Sequence, residues 1–346
     1  MVLPETYAGA LLLTILTMLC WGSWANTYKL TGDWRFELYY YDYALGVLLA
    51  AVAAAFTFGS LGYDGFVFMD DLMHASRRSI ALGFAGGVVF NLANMLLVAA
   101  ISVAGLAVAF PVGIGLALVI GVVWNYAINP QANPVLLFAG VGIVVAAIIV
   151  DALAYRVHAA ARLKRSPQAR PGRSRARAPW KGIVLSLASG LLMGAFYPLV
   201  ELAKRGEWGL GPYAVAFVFA LGVFVSTFVF NLFFMNLPVE GEPVEILEYF
   251  RGKWRQHLLG WLGGVIWATG TIANFVAASA PRQVQVGPAV SYAMGQGATL
   301  VSALWGLLVW KEFCGASGVV KLLLALMLVL FAAGLGLVSV APLYAR

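Results

Sequence analysis

A chain of 346 residues that is 62% hydrophobic and only 11% charged falls far from soluble domains, in which about 25% of residues are charged. Such a chain needs lipid around it, which excludes an ordinary globular enzyme. The net charge of +7 is concentrated, with nine Lys and Arg and no acid between Arg156 and Lys181, the pattern of a cytoplasmic loop beside membrane spans and not of a nucleic-acid surface.

A membrane helix needs about 20 apolar residues, and ten segments qualify. The first, Ala8–Tyr28, lacks the basic leader of a cleaved signal peptide and carries Trp21, Trp24 and Asn26. The second, Tyr43–Leu61, follows Asp42 directly. The third, Ile80–Ile101, places Asn91 and Asn94 three apart, on one helical face. The fourth, Val103–Ile128, contains Pro111. The fifth, Val135–Val150, and the sixth, Gly182–Val200, are short; extension to Tyr155 and Ala203 draws in Asp151 and Glu201, and the sixth carries Tyr197. The seventh is Tyr213–Leu237, and the eighth, Leu258–Ala280, holds Trp267 and Asn274. The ninth, Val284–Trp310, contains Pro288 and spaces Tyr292, Gln296 and Thr299 on one face. The tenth is Leu322–Leu343. The alternating ten-residue segments of an outer-membrane barrel are absent.

Numbering loops by their flanking spans, loops 1–2, 5–6, 7–8 and 9–10 hold 16 of the 22 Lys and Arg. The positive-inside rule then puts both termini outside and residues 156–181 in the cytoplasm of a multi-pass plasma (inner) membrane protein.

The chain repeats itself. Gly32-Asp33-Trp34 recurs as Gly206-Glu207-Trp208, Ala44-Leu45-Gly46-Val47 as Ala220-Leu221-Gly222-Val223, the Gly83, Gly86, Gly87 and Val88 pattern as Gly260, Gly263, Gly264 and Val265, and Pro111 as Pro288. The offsets are 174, 176, 177 and 177, close to half the chain. Residues 1–155 and 182–346 therefore read as two five-helix repeats joined by a basic linker, 156–181. An odd number of spans per repeat inserts the second half upside down, an architecture of secondary transporters with a midplane site between the halves.

Amides in lipid are costly, so Asn26, Asn91, Asn94, Asn274 and Gln296 point inward. With Trp21, Trp24, Tyr197, Trp267 and Tyr292 they form a candidate pocket for a neutral polar molecule, by stacking and hydrogen bonding; interhelical adhesion is the other use of such amides. Pro111 and Pro288 are candidate helix breaks facing a polar cavity. Asp42, Asp151 and Glu201 are ion-coupling candidates, each with a structural alternative: the headgroup layer for Asp42, pairing with Arg156 for Asp151, and pairing with Lys204 or Arg205 for Glu201. His74, His158 and His257 fall in the predicted loops. Cys20 and Cys314 match no metal or disulfide spacing. No cofactor or metal is expected, and without clustered His, Asp or Cys at membrane depth an intramembrane enzyme is disfavoured.

Several blocks resemble the ureide permease family of the drug/metabolite transporter superfamily: Tyr41-Asp42-Tyr43 followed by Leu48-Leu49-Ala50-Ala51 and Ala55-Phe56-Thr57-Phe58-Gly59, then Ala85-Gly86-Gly87-Val88-Val89 with Asn91, Leu92 and Asn94, then Trp124-Asn125-Tyr126, with Gly22-Ser23-Trp24 in the first span. The resemblance implies ten spans, a central cytosolic loop, a site among spans 1, 3, 4, 6, 8 and 9, and proton-coupled uptake of small polar solutes; plant members carry allantoin, uracil-like nucleobases and related heterocycles. The chain departs from them in its short central loop, which lacks the nucleotide-binding-like motif of the plant loop. It is similar, more distantly, to rhamnose and glucose/ribose permeases.

The expected function is import of a ureide, nucleobase or similar heterocycle by alternating access. Sugar or nucleoside import on the same fold, and efflux of metabolites or amphipathic compounds, are the alternatives. The partners expected are the solute, a coupling proton or sodium ion, the lipid bilayer and, as an option, a second copy of the chain; nucleic acid is not among them.

Overall fold

The computed structural model describes residues 1–62, 65–104, 106–165, 179–238, 242–281 and 283–345; most of the basic linker lies outside them. The described residues form helices and no strand. Ten helices are long and apolar enough to cross a membrane: α1 Tyr7–Lys29, α2 Phe36–Phe56, α3 Arg77–Ala104, α4 Val108–Ile128, α5 Pro134–Ala161, α6 Trp180–Ala203, α7 Pro212–Asn236, α8 Trp254–Ala277, α9 Pro288–Val309 and α10 Gly318–Tyr344. The chain is an all-helical, multi-pass membrane protein.

Local chemistry sets where these helices begin. Asn133 Oδ1 accepts from the Val135 and Leu136 amides at the start of α5, and the Ser317 side chain accepts from Val320 at the start of α10, satisfying donors that a first turn leaves free. Pro212 and Pro288 occupy first-turn positions after Gly211 and Gly287, where a missing N–H costs nothing.

Three sequence expectations change. First, α2 starts at Phe36, seven residues before the expected Tyr43, so Asp42 lies inside the span and is buried instead of sitting among headgroups. Hydropathy hid this turn because Glu37 and Asp42 interrupt it; pairing of both acids makes the insertion tolerable. Second, neither proline breaks its helix. Pro288 begins α9 and Pro111 sits within a continuous helix. The breaks occur instead at Trp24 in α1 and at Gln296-Gly297 in α9, and α9 ends in a π-helical turn, Trp305–Val309. Third, His257 lies in the first turn of α8 and His158 in α5, not in loops.

The connections sort onto two faces. On one, Lys29 pairs with Glu312 at 2.5 Å, Arg35 donates to the Glu242 carbonyl at 3.2 Å and Tyr155 donates to Glu312 at 2.8 Å, joining loop 1–2 to loops 7–8 and 9–10 and to the end of α5 that leads into the linker. On the other, the Val2 amide donates to Phe58 at 2.9 Å, Gly211 donates to Asp71 at 2.8 Å, Arg205 donates to the Ile128 carbonyl and Asn133 donates to Ala341 at 2.9 Å. The first is called the linker face and the second the terminal face. Burial raises the Asp71 carboxyl above the ordinary carboxylate range, against the Gly211 hydrogen bond and the N-terminal charge, which lower it.

Between helices not adjacent in sequence, the principal pairs are α3 with α6, α1 with α8, α4 with α6, α1 with α9, α2 with α8, α3 with α7, α2 with α7, α4 with α9 and α5 with α10. Adding five to each number within the first half, and subtracting five in the second, maps this set onto itself. The repeated sequence blocks mark two equivalent crossings. At the α2–α8 crossing a methyl on Gly46 would collide with the Trp261 carbonyl and one on Gly264 with the Tyr43 carbonyl. At the α3–α7 crossing a methyl on Gly87 would collide with the Phe219 carbonyl and one on Gly222 with the Phe84 carbonyl. Exposed stripes such as Leu12, Leu16 and Leu19 on α1 and Leu322, Leu326 and Val329 on α10 face outward, suited to lipid.

Gly264→Ala should therefore destabilise the bundle by roughly 1–3 kcal/mol, the cost of overpacking a tight contact. Gly336→Ala, where a methyl meets nothing within 4 Å, should be neutral. Melting temperatures from fluorescence-detected size exclusion in detergent check the pair.

Candidate functional site

A cavity of about 420 Å³ opens between the helices. Its inner end is aromatic: Trp267 stacks on Phe90 at 4.4 Å, and Trp21 lies parallel to Trp267 at 6.1 Å between ring centroids. Thr271 holds the Trp21 indole N–H at 3.0 Å. From there the cavity runs between Trp24, Tyr28, Ile101 and Phe110 toward the linker face, where Tyr155 and Phe36 border it.

Polar groups are few and placed along this wall. Asn94 donates its amide N–H to Tyr40 at 3.0 Å and borders the cavity. Gln296, at the α9 break, also borders it, and its side chain has no hydrogen-bond partner among the described residues. Thr299 and Ser302 continue the α9 wall, and Asp151 enters from α5 with Pro111 on α4 nearby. The wall combines flat rings with isolated donors and acceptors, the make-up of a small-molecule site.

The remaining pocket candidates lie away from the lining. Asn91 is fully buried against α7, its amide donating to Val223, Ser226 and Thr227. Phe90, Asn94, Leu97 and Ile101 take the cavity side of α3; a three-residue step turns a helix by about 300°, enough to put Asn91 on the neighbouring side. Asn26 accepts from Trp310 at 2.6 Å and donates to Ser23. Tyr197, Asn274 and Tyr292 form a closed layer on the terminal-face side of the cavity: Tyr197 donates to Asn274 at 2.5 Å, Asn274 donates to the Ser291 carbonyl at 2.9 Å, and Tyr292 donates to the Met193 carbonyl at 3.0 Å. Gly121 makes room for the Tyr292 ring.

The three acids have different surroundings. Asp42 accepts from Tyr249 at 2.6 Å and Trp261 at 3.0 Å and pairs with His257 at 2.7 Å. Glu201 pairs with Lys204 at 2.7 Å. Asp151 is 8% exposed, and its Oδ1 has no partner. Composition-based reasoning passed over Phe90, Phe196, Tyr28, Tyr155 and Glu312; the i, i+4 step from Phe90 to Asn94 was the available signal for the first. Among the described residues no group of three His, Cys, Asp or Glu side chains could hold a metal ion.

The family model described as ureide permease matches residues 39–179 and 168–341. Ureide permease 2 of Arabidopsis thaliana is 25% identical, and ureide permease 1 of the same plant 26%, each over 96% of this chain and 96% of its own length. Probable ureide permease A3 of Vigna unguiculata is 23% identical over 90% of this chain and 97% of its own. These relatives are named as permeases, not enzymes. A solved crystal structure that shares 19% identity covers 98% of both chains with a TM-score of 0.59, a likeness of fold. With the family match running from α2 into α10, the chain belongs to the ureide permease family.

Proposed function

We propose that this protein imports a small neutral polar solute, a ureide or related nucleobase-like heterocycle, by alternating access. The observation that carries this reading is the cavity, in which Trp21, Trp24 and Trp267 offer flat apolar faces while Asn94 and Gln296 offer an amide each. Ureides are compact molecules dense in N–H and C=O groups, so they need just such a mixture of stacking and neutral hydrogen bonding. The names of the relatives support the same class of solute. A sugar or nucleoside would use the same groups and is the second reading.

The two-fold mapping of the helix pairs supports a division into halves at 1–155 and 182–346. Opposite insertion of the halves follows from five spans in each and is the arrangement in which two bundles rock around a central site. The cavity reaches toward the linker face, and the Tyr197–Asn274–Tyr292 layer closes the other side. With the basic linker in the cytoplasm, this is an inward-open state. A coupling-ion gradient, with the proton first and sodium second, supplies the driving force for accumulation.

Reconstituted vesicles should take up labelled allantoin or uracil in preference to ribose; no uptake of any of the three would end the substrate assignment. Asn94→Ala and Gln296→Ala should each raise the transport KM about 3- to 10-fold, the loss of one neutral hydrogen bond of roughly 0.5–1.5 kcal/mol, with folded yield unchanged. Normal transport by both variants would make these amides packing groups. For orientation, alkaline phosphatase fused after Arg346 should be active in a bacterial host while a fluorescent protein at the same place stays dark; the opposite result would invert the protein in the membrane.

A further inference from the structure

Asp151 differs from the other two acids of the spans. Asp42 accepts from Tyr249 and Trp261 and pairs with His257, and Glu201 is neutralised by Lys204. Asp151 borders the cavity, is more than nine-tenths buried and leaves Oδ1 unpartnered. A buried carboxylate without a partner is expensive, and among the described residues whose buried side-chain oxygens lack a partner, Tyr43, Asn91, Asn125, Gln131, Asp151 and Asn231, Asp151 is the one carboxyl.

One helical turn along α5, on the same face, Tyr155 also borders the cavity. Its hydroxyl donates to Glu312 Oε2 at 2.8 Å, while Lys29 Nζ meets Glu312 Oε1 at 2.5 Å. His158 Nε2 lies 3.0 Å from the Glu312 carbonyl oxygen. Lys29 in turn lies 4.3 Å over the Trp310 ring. Glu312 thus ties the ends of α1 and α5 to the turn after α9, where Lys311 is held at φ 50° after the π-helical segment, a local strain that such surrounding contacts can hold. The Glu312 side chain is 33% exposed and so reaches solution on the linker face. Burial raises its pKa, but the hydrogen bonds from Lys29 and Tyr155, with the Lys29 charge, together outweigh burial and hold it below the ordinary carboxylate range. The charged and titratable groups around the pair are Tyr155 and His158 on α5, Lys29 on α1 and Tyr28 across the cavity. Of the helices packed along α5, α4 carries no Asp, Glu, Lys, Arg or His and has Tyr126 at its terminal-face end, and the one charge on α10, Lys321, is exposed.

We propose that Asp151 carries the coupling proton and exchanges it with solution on the linker face through Tyr155 and Glu312. No hydrogen bond joins Asp151 to Tyr155, so cavity water bridges them: the O–H bond of the Asp151 carboxyl breaks as water takes that proton and hands one on to the Tyr155 hydroxyl oxygen, the original Tyr155 proton passes to Glu312 Oε2, and Glu312 releases it to solution. Asp151 is left a carboxylate, Tyr155 neutral and Glu312 a carboxylate again. This rests on the transport reading above and adds its coupling site.

The test uses the full chain in vesicles with allantoin as the probe, read as counterflow and as accumulation driven by an imposed pH gradient. Asp151→Asn should keep counterflow within about twofold of wild type, since binding and rocking persist, while gradient-driven accumulation falls to the equilibrium level. Glu312→Gln and Tyr155→Phe should slow accumulation about tenfold and alter its pH profile while counterflow holds. A wild-type level of accumulation by Asp151→Asn overturns the proposal, as does loss of both activities by a variant that melts like wild type, which would make Asp151 a solute ligand. A readout without solute separates this proposal from the substrate reading: infrared difference spectra between acidic and alkaline buffer should show a protonated-carboxyl band that Asp151→Asn removes, and absence of that band from the wild type overturns the proposal. A wild type that shows the band yet carries none of the tested solutes removes the substrate reading instead.

Discussion

Inside a bilayer there is no hydrophobic force to press one helix on another, so association depends on close van der Waals approach and on polar groups that find each other. In this chain that approach is concentrated at two crossings, α2 on α8 and α3 on α7, where Gly46, Gly264, Gly87 and Gly222 let backbone meet backbone. Each crossing joins a helix of the first half to one of the second. The cavity lies between these tightly joined pairs and the helices α1, α4, α5, α6 and α9 around them. A side chain at any of the four glycines would change the geometry of the site without touching it.

Within that frame the polar groups divide by whether they border the cavity. Asn91 and Asn274 spend their amides on neighbouring helices, and Tyr197 and Tyr292 spend their hydroxyls on a sealed layer. Each neutral hydrogen bond contributes roughly 0.5–1.5 kcal/mol net, so opening the layer costs a few kcal/mol. That is the size of a difference in binding free energy that can shift a two-state equilibrium. Asn94 and Gln296 instead keep capacity at the cavity wall, and a solute can use it.

The three acids show how the same residue type takes different work from its surroundings. Asp42, surrounded by Tyr249, Trp261 and His257, fastens loop 7–8 and α8 to α2. Glu201 ends α6 in a pair with Lys204. Asp151 faces the cavity with an oxygen bare, and one turn along α5 Tyr155 donates to a second carboxylate, Glu312. Charge alone did not distinguish them; the donors around each one did.

The ten spans were legible in the sequence because lipid imposes a minimum apolar length. The glycine blocks at an offset of 176–177 residues were legible for a related reason: backbone contact permits no side chain, so the crossing leaves its mark on composition. The start of α2 was not legible, since hydropathy counts Glu37 and Asp42 as charges and cannot see their partners. Nor were the breaks at Trp24 and Gln296-Gly297, which no proline announces. Which amides border the cavity was decided by rotation: Asn91 and Asn94 share a face on paper, yet α7 claims one and the cavity the other. Glu312 and Asp151 stand more than 150 residues apart in the chain, and only the packing of α1, α5 and α9 brings them to one mouth. A sequence specifies what each helix can bury; the tertiary structure decides which polar groups it turns toward the cavity, because that depends on how each helix is rotated against its neighbours.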